Sequence, residues 1–150
     1  MASTDGARHP ALFDVNVLIA LHDSEHVHHQ VAYEWLLANE AQGWASCPLT
    51  QNGCVRILSQ PNYPNPMLLV DALEMLDSSC ADASHQFWGD DISLLDTTRL
   101  NRQRMHGYRQ LTDIYLLALA VKHGGRFVTF DAKVPLSAVR GAKSEHLVVL

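Results

Sequence analysis

The sequence lacks the features of a membrane-spanning, secreted or disulfide-linked protein. It has no uncharged apolar run of about 18 residues, the length that a transmembrane helix needs. Residues 1–10 are polar and lack the basic-then-apolar order of a signal peptide. The three cysteines, Cys47, Cys54 and Cys80, are widely spaced without a CxxC pair, which predicts buried free thiols. We therefore expect a cytoplasmic protein without a membrane partner.

Basic residues are scarce in the first two thirds of the chain. Residues 1–98 contain 13 acidic residues and only two basic ones, Arg8 and Arg56, which gives a formal net charge of −11. Residues 99–150 contain nine basic and three acidic residues, a net charge of +6. Four arginines fall within 11 residues there: Arg99, Arg102, Arg104 and Arg109. The cluster predicts either a phosphate-binding patch or a solvated face that balances the acidic half.

Length and composition indicate one globular domain over residues 1–150. Hydrophobic residues make up 47% of the chain and charged residues 18%, as in ordinary soluble proteins. A chain of this length can bury a full core. No repeat, low-complexity tract or linker divides it, and only residues 1–9 are expected to form a flexible N-terminus.

Hydrophobic periodicity predicts strands that alternate with helices. The predicted strands are Ala11–Asp14, Trp44–Cys47, Asp82–Trp88, Phe127–Phe130 and His146–Leu150. The predicted helices are Val15–Leu21, His26–Asn39, Leu49–Ser59, Met67–Asp77 and Ile114–His123, the last capped by Thr112. Thr97–Gly107 is expected to be an exposed loop or short helix. This alternation predicts an α/β fold with a parallel sheet covered on both faces.

Three carboxylates are predicted to meet at one edge of that sheet. Asp14 and Asp131 each follow a phenylalanine at the end of a predicted strand, and Asp113 precedes a helix so apolar that it must be buried. Ligands of such sheets gather at the carboxyl ends of the strands. Converging carboxylates repel one another unless their pKa values rise or a cation neutralises them. The alternative is that each aspartate is only a cap or turn residue.

A site built from carboxylate oxygens favours Mg²⁺ or Mn²⁺ over zinc, and such a cation suits phosphodiester hydrolysis. The chain also has nine histidines, of which His22, His26 and His29 have the spacing of one helix face. They could form a zinc site, but Asp23-Ser24 predicts a break in that helix, which favours a surface role.

Five blocks of the sequence, in order between residues 11 and 135, resemble a known family. Asp14–Ile19, Leu111–Ala120 and Val128–Asp131 are similar to the signature blocks of PIN-domain ribonucleases. Pro48–Arg56 and Phe87–Asp96 are typical of the VapC toxins of bacterial type II toxin-antitoxin pairs. The resemblance implies a three-layer α/β/α PIN-like fold with a central, mainly parallel sheet.

The resemblance also implies an activity, a cofactor and partners. It implies a Mg²⁺-dependent endoribonuclease toxin, with Mn²⁺ as a substitute, that cleaves structured RNA such as tRNA or rRNA and inhibits translation. A VapB-type antitoxin would neutralise it, and a homodimer is expected. Asp14, Asp113 and Asp131 would be the catalytic, metal-binding acids, with Asn16 and Thr129 orienting them. The residues themselves make Arg102, Arg104 and Arg109 candidates for RNA binding, because guanidinium groups match phosphate geometry.

One block departs from the family pattern. The family usually has a glutamate after the second strand, often directly after the threonine, but Gln51 follows Thr50 here. A glutamine can hold a metal-bound water but supplies neither charge nor a base. Asp91 or Asp96 could compensate. Two alternatives therefore remain: a weakened or inactive PIN-fold binding module, and a phosphohydrolase of the haloacid-dehalogenase type, which would need a second aspartate where Asn16 stands.

Overall fold

The computed structural model describes residues 7–150, in which strands and helices alternate as predicted. The strands are β1 (Ala11–Phe13), β2 (Trp44–Ser46), β3 (His85–Phe87), β4 (Arg126–Thr129) and β5 (Leu147–Val149). The α-helices are α1 (Val15–His22), α2 (His29–Ala38), α3 (Pro48–Leu58), α4 (Leu69–Cys80) and α5 (Leu111–Lys122). None of these helices is long and apolar enough to cross a membrane. Residues 1–6 of the expected flexible segment 1–9 lie outside the described residues.

The five strands form one sheet in the order β3-β2-β1-β4-β5, and every neighbouring pair is parallel. The central strand is β1, whose Leu12 lies opposite Ala45 of β2 and Phe127 of β4. Because all strands run in one direction, all their carboxyl ends lie at the same edge. This arrangement confirms the predicted α/β/α architecture, and the sheet is parallel throughout.

Helices cover both faces of the sheet, and α3 and α5 lie on opposite faces. Successive residues of a strand point to opposite faces. Leu12 therefore packs in the core that contains α5, whereas Phe13 packs in the core built by α1, α2, α3 and α4. The edge where β1 and β4 end is consequently bordered by α1 and α3 on one side and by α5 on the other.

Several ends of the predicted helices are wrong, including those of α4, which spans Leu69–Cys80 and not Met67–Asp77. Thr112 does not cap α5, because a 3₁₀ turn at Tyr108–Gln110 leads directly into the helix and places Thr112 in its first turn. Helix α2 begins at His29, three residues later than predicted, because turns occupy residues 23–28. Ala32 is buried in α2, whereas the neighbouring Val31 is half exposed.

Gly125 marks a close approach between the start of β4 and the segment before β1. A Cβ atom there would lie 2.5 Å from the carbonyl oxygen of Pro10 and 2.7 Å from Cη2 of Trp88. We expect Gly125→Ala to lower the free energy of unfolding by about 2 kcal/mol, measured by urea denaturation. Gly89→Ala is the matched control, because nothing lies within 4 Å of its Cβ position. Equal stability of the two variants would contradict this packing.

Candidate active site

Asp14 lies where the central strand ends and α1 begins. Its carboxylate caps the helix, accepting hydrogen bonds from the Val15 N–H (2.7 Å) and from the Thr129 hydroxyl (2.9 Å). The residue is only 8% exposed. Burial raises the pKa of Asp14, the two hydrogen bonds lower it, and the nearby charge of Asp131 raises it further. The net shift of the Asp14 pKa is upward, because the effect of burial exceeds that of the hydrogen bonds.

Thr129 connects two of the predicted acids. It is the last residue of β4 and is fully buried. Its hydroxyl donates to Asp14 and accepts the N–H of Asp131 at 3.1 Å. Asp131 follows at the same edge of the sheet and accepts the N–H of Lys133 at 2.8 Å. One threonine thus fixes the spacing between the strand ends that carry Asp14 and Asp131.

Asp113 completes the group from the opposite layer, in the first turn of α5. Burial raises its pKa to about 7, and the charges of Asp14 and Asp131 and a hydrogen bond with Asp131 contribute to the rise. The structure therefore brings the three predicted acids together at the carboxyl edge of the sheet. In the absence of a cation, Asp113 retains a proton close to neutral pH.

The donor set fits a hard divalent cation. Within residues 7–150, no three Asp, Glu, His or Cys side chains are already arranged as a metal-binding group. Asp131 is close enough to raise the pKa of Asp113, and both Asp14 oxygens accept hydrogen bonds. Carboxylate oxygens are nevertheless the ligands that Mg²⁺ and Mn²⁺ prefer, and a cation would relieve the repulsion that raises the pKa of Asp113. Cation binding would have to displace the proton of Asp113.

The three acids open into a cleft of about 610 Å³. The cleft is also lined by polar and cationic residues from several elements: Asn16 of α1, Asn52 and Arg56 of α3, and Arg109 of the 3₁₀ turn before α5. Asn16 and Arg109 therefore lie in the same cleft as the acids. A second hollow of about 520 Å³ shares Arg109 and Asp131 with this cleft.

Gln51, the predicted substitute for a fourth acid, points away from the cleft. Its amide donates to the Ser46 hydroxyl (2.9 Å), and the side chain lines a separate cavity between α3 and α4. The next residue, Asn52, lines both that cavity and the cleft. Gly53 follows, where a Cβ atom would lie 2.7 Å from Cγ2 of Val15. Helices α1 and α3 therefore approach too closely there for a longer side chain, and α3 offers the cleft an amide but no carboxylate.

Asp91 is also distant from the three acids. Its carboxylate pairs with Lys122 Nζ (2.9 Å) and His123 Nε2 (3.2 Å), at the end of α5 opposite to Asp113. Nine residues of helix separate Lys122 from Asp113, which is about 13 Å at the α-helical rise. We therefore expect Asp91→Asn to change RNA cleavage by less than about threefold, since it alters only an exposed ion pair. A gel assay of initial rates checks this, and a large loss would place Asp91 in the site.

Arg102 and Arg104 lie on an exposed 3₁₀ turn and do not line the cleft. Arg102 donates to the carbonyl of Leu95 at 3.1 Å. Arg56, in contrast, lines the cleft although the charge cluster of the second half did not include it. The sequence did offer a sign of its importance, because Arg56 is the single lysine or arginine between positions 9 and 98.

The histidines of the first helices have structural partners. The His22 ring bonds to the Leu18 carbonyl (2.8 Å) and the Ser79 hydroxyl (2.7 Å), and His29 Nδ1 to the Ala20 carbonyl (2.7 Å). Along the described chain no zinc-type group of histidines forms. These residues tie α1 to α4 and to the start of α2.

Comparison with known proteins agrees with this architecture. Residues 11–141 match the PIN domain family. The chain is 49% identical to ribonuclease VapC44 of Mycobacterium tuberculosis, over 93% of this chain and 99% of that protein. It is 45% identical to ribonuclease VapC38 of the same organism, over 83% and 86% of the two chains. These matches are incompatible with the haloacid-dehalogenase alternative. The chain belongs to the PIN domain family, among the VapC ribonucleases.

Proposed function

We propose that this protein is a Mg²⁺-dependent endoribonuclease, with Mn²⁺ as a substitute, that cleaves structured RNA such as tRNA or rRNA. The convergence of Asp14, Asp113 and Asp131 carries the proposal. Burial and the charges of Asp14 and Asp131 raise the pKa of Asp113 to about 7, and this mutual repulsion supports a shared cation site. The relatives named ribonuclease VapC support RNA as the substrate.

The residues of the cleft have distinct tasks in this reaction. Asp14, Asp113 and Asp131 would hold the cation, and Thr129 keeps Asp14 and Asp131 in place through its hydroxyl. A bound Mg²⁺ lowers the pKa of water and offsets the charge that grows on the phosphoryl oxygens. Arg109 supplies a guanidinium beside the acids and can orient the phosphate by paired hydrogen bonds.

The cellular role follows from the same proposal. Cleavage of tRNA or rRNA in the cytoplasm inhibits translation, so the protein acts as a toxin. A VapB-type antitoxin neutralises it by placing its tail in the cleft, where acidic and basic side chains offer partners of both signs. The VapC names of the relatives support such a partner. We also propose a homodimer.

Cleavage assays with purified protein test the proposal. Incubation with tRNA and rRNA in Mg²⁺ should yield discrete internal fragments, EDTA should abolish them, and added Mn²⁺ should restore them. Expression should stop growth, and co-expression of a VapB-type antitoxin should relieve the arrest. Cleavage that persists in EDTA, or intact RNA in Mg²⁺, would contradict the proposal.

A second candidate is a catalytically weakened or inactive PIN-fold module that acts by binding. The observation in its favour is the α3 side of the cleft, where Asn52 and Gly53 stand and no fourth acid lines the described cavity. Calorimetric titration separates the two functions. A module would bind neither Mg²⁺ nor Mn²⁺ at millimolar concentration, with or without RNA, whereas a nuclease would bind at least one.

A further inference from the structure

Two arginines enter the acidic cleft from opposite layers of the fold. Arg56 belongs to α3, which packs on the face of the sheet that carries Phe13. Arg109 precedes α5, which packs on the face that carries Leu12. Both arginines line the cleft that contains the three acids. Crossing the cleft from α3 to α5, the side chains are therefore basic, then acidic, then basic.

The Arg56 side chain makes no polar contact that stabilises the described part of the fold. The residue is exposed, and no hydrogen bond or ion pair of its guanidinium is present among residues 7–150. Its charge is also not among the groups that shift the pKa of Asp14 or Asp113. The guanidinium thus borders the acids without neutralising them, and its donors stay available to another anion.

The other side of the acids continues as a basic hollow. The hollow that shares Arg109 and Asp131 with the cleft is also lined by His106, Tyr108 and Lys133. Tyr108 is 80% exposed, and the Arg109 guanidinium lies 5.7 Å from its ring centroid. Exposed aromatic rings beside cations are the platforms on which unpaired bases stack. Cationic groups are therefore available on both sides of the carboxylates.

We propose that Arg56 binds a phosphate of the RNA on the α3 side of the cut, opposite the phosphate-binding side of Arg109. The RNA backbone then crosses the cleft and continues in both directions from the scissile bond. The planar guanidinium forms paired hydrogen bonds with phosphate oxygens, and unpaired segments can expose both backbone and bases to such a cleft. The proposal rests on the ribonuclease function proposed above.

Salt-dependent RNA binding tests Arg56, with Arg8 as the matched control. Arg8 is the other basic residue of the acidic half, is exposed, and precedes β1 at the opposite edge of the sheet from Asp14. A fluorescein-labelled single-stranded RNA is titrated in EDTA with the wild type, Arg56→Gln, Arg56→Lys and Arg8→Gln, at several KCl concentrations. The absence of Mg²⁺ keeps the RNA intact, and circular dichroism verifies the fold of each variant.

Arg56→Gln should weaken binding about tenfold, the loss of one charge-assisted contact. It should also reduce the slope of log affinity against log salt by about 0.7, the value for one phosphate of a single strand. Arg56→Lys should restore the slope, because it restores the charge, and only part of the affinity. Arg8→Gln should change neither quantity.

Three results would overturn the proposal. They are unchanged binding by Arg56→Gln, weaker binding with an unchanged salt slope, and an equal effect of Arg8→Gln. Absence of any RNA binding by the wild type would overturn it as well. Failure of the ribonuclease function is recognised separately, since a wild type that binds RNA but never cuts it in Mg²⁺ would remove that function while the salt slope still assigns Arg56 to a phosphate.

Discussion

Replacing Asp14 with asparagine should reduce the rate of RNA cleavage by at least about a thousandfold, because it removes one negative ligand of the cation. The change is nearly isosteric. The asparagine carbonyl can accept the Val15 N–H, and its NH₂ can donate to the Thr129 hydroxyl. This reverses the wild-type bond, in which Thr129 donates to Asp14. Asparagine is also a favourable helix N-cap. The loss should therefore be one of chemistry and not of folding.

Initial rates on tRNA in Mg²⁺ and thermal unfolding by circular dichroism measure the two effects. The melting temperature should stay at or above that of the wild type, because a buried carboxylate with a raised pKa is removed. Asp91→Asn is the control, with the same chemical change at the opposite end of α5. An Asp14→Asn variant that still cleaves within tenfold of the wild-type rate (about 1.4 kcal/mol) would rule out its assignment as a catalytic ligand.

The affinity for Mn²⁺ should rise about tenfold per pH unit below about pH 7 and level off above it. The reason is the proton of Asp113, whose pKa is raised to about 7 by burial and by the charges of Asp14 and Asp131. Below that pH, a cation must displace the proton, and above it the carboxylate is already ionised. Calorimetry in buffers of different ionisation enthalpy measures both the affinity and the number of protons released. A Mn²⁺ affinity that is independent of pH would contradict a cation site that includes Asp113.

The same shift determines how pH affects the stability of the metal-free protein. The pKa of Asp113 is higher in the folded state, about 7, than its ordinary value of 3.8, so the folded state binds more protons between these values. The protonated form of Asp113 therefore stabilises the folded state. This stabilisation is fully present below the ordinary pKa and is lost as the pH rises through the pKa of the folded state. In EDTA, Asp113→Asn should therefore melt a few degrees above the wild type at about pH 8 and equal to it at about pH 4. A constant difference across this range would contradict the shift.

Sequence periodicity was sufficient to predict the parallel α/β architecture and the meeting of the three acids. Asp14 directly follows the buried strand β1, Asp131 lies two residues beyond the end of β4, and Asp113 lies in the first turn of a helix whose apolar centre is buried. These placements follow from the local hydrophobic periodicity and from the rule that the carboxyl ends of parallel strands lie at the same edge of a sheet. Element ends were less predictable: Thr112 was expected as a cap, but the preceding 3₁₀ turn extends α5 past it.

The sequence by itself determined which elements form and which acids stand at strand ends, because both follow from residue spacing. Only the tertiary structure decided which side chains of α3 face those acids. Along a helix, neighbouring side chains point about 100° apart. Gln51 therefore bonds to Ser46 outside the cleft, whereas Asn52 and Arg56 line the cleft. That choice depends on the close packing of Gly53 against Val15, a contact between residues 38 positions apart. Contacts between distant segments are not encoded in local periodicity, and here they select the residues that border the cleft.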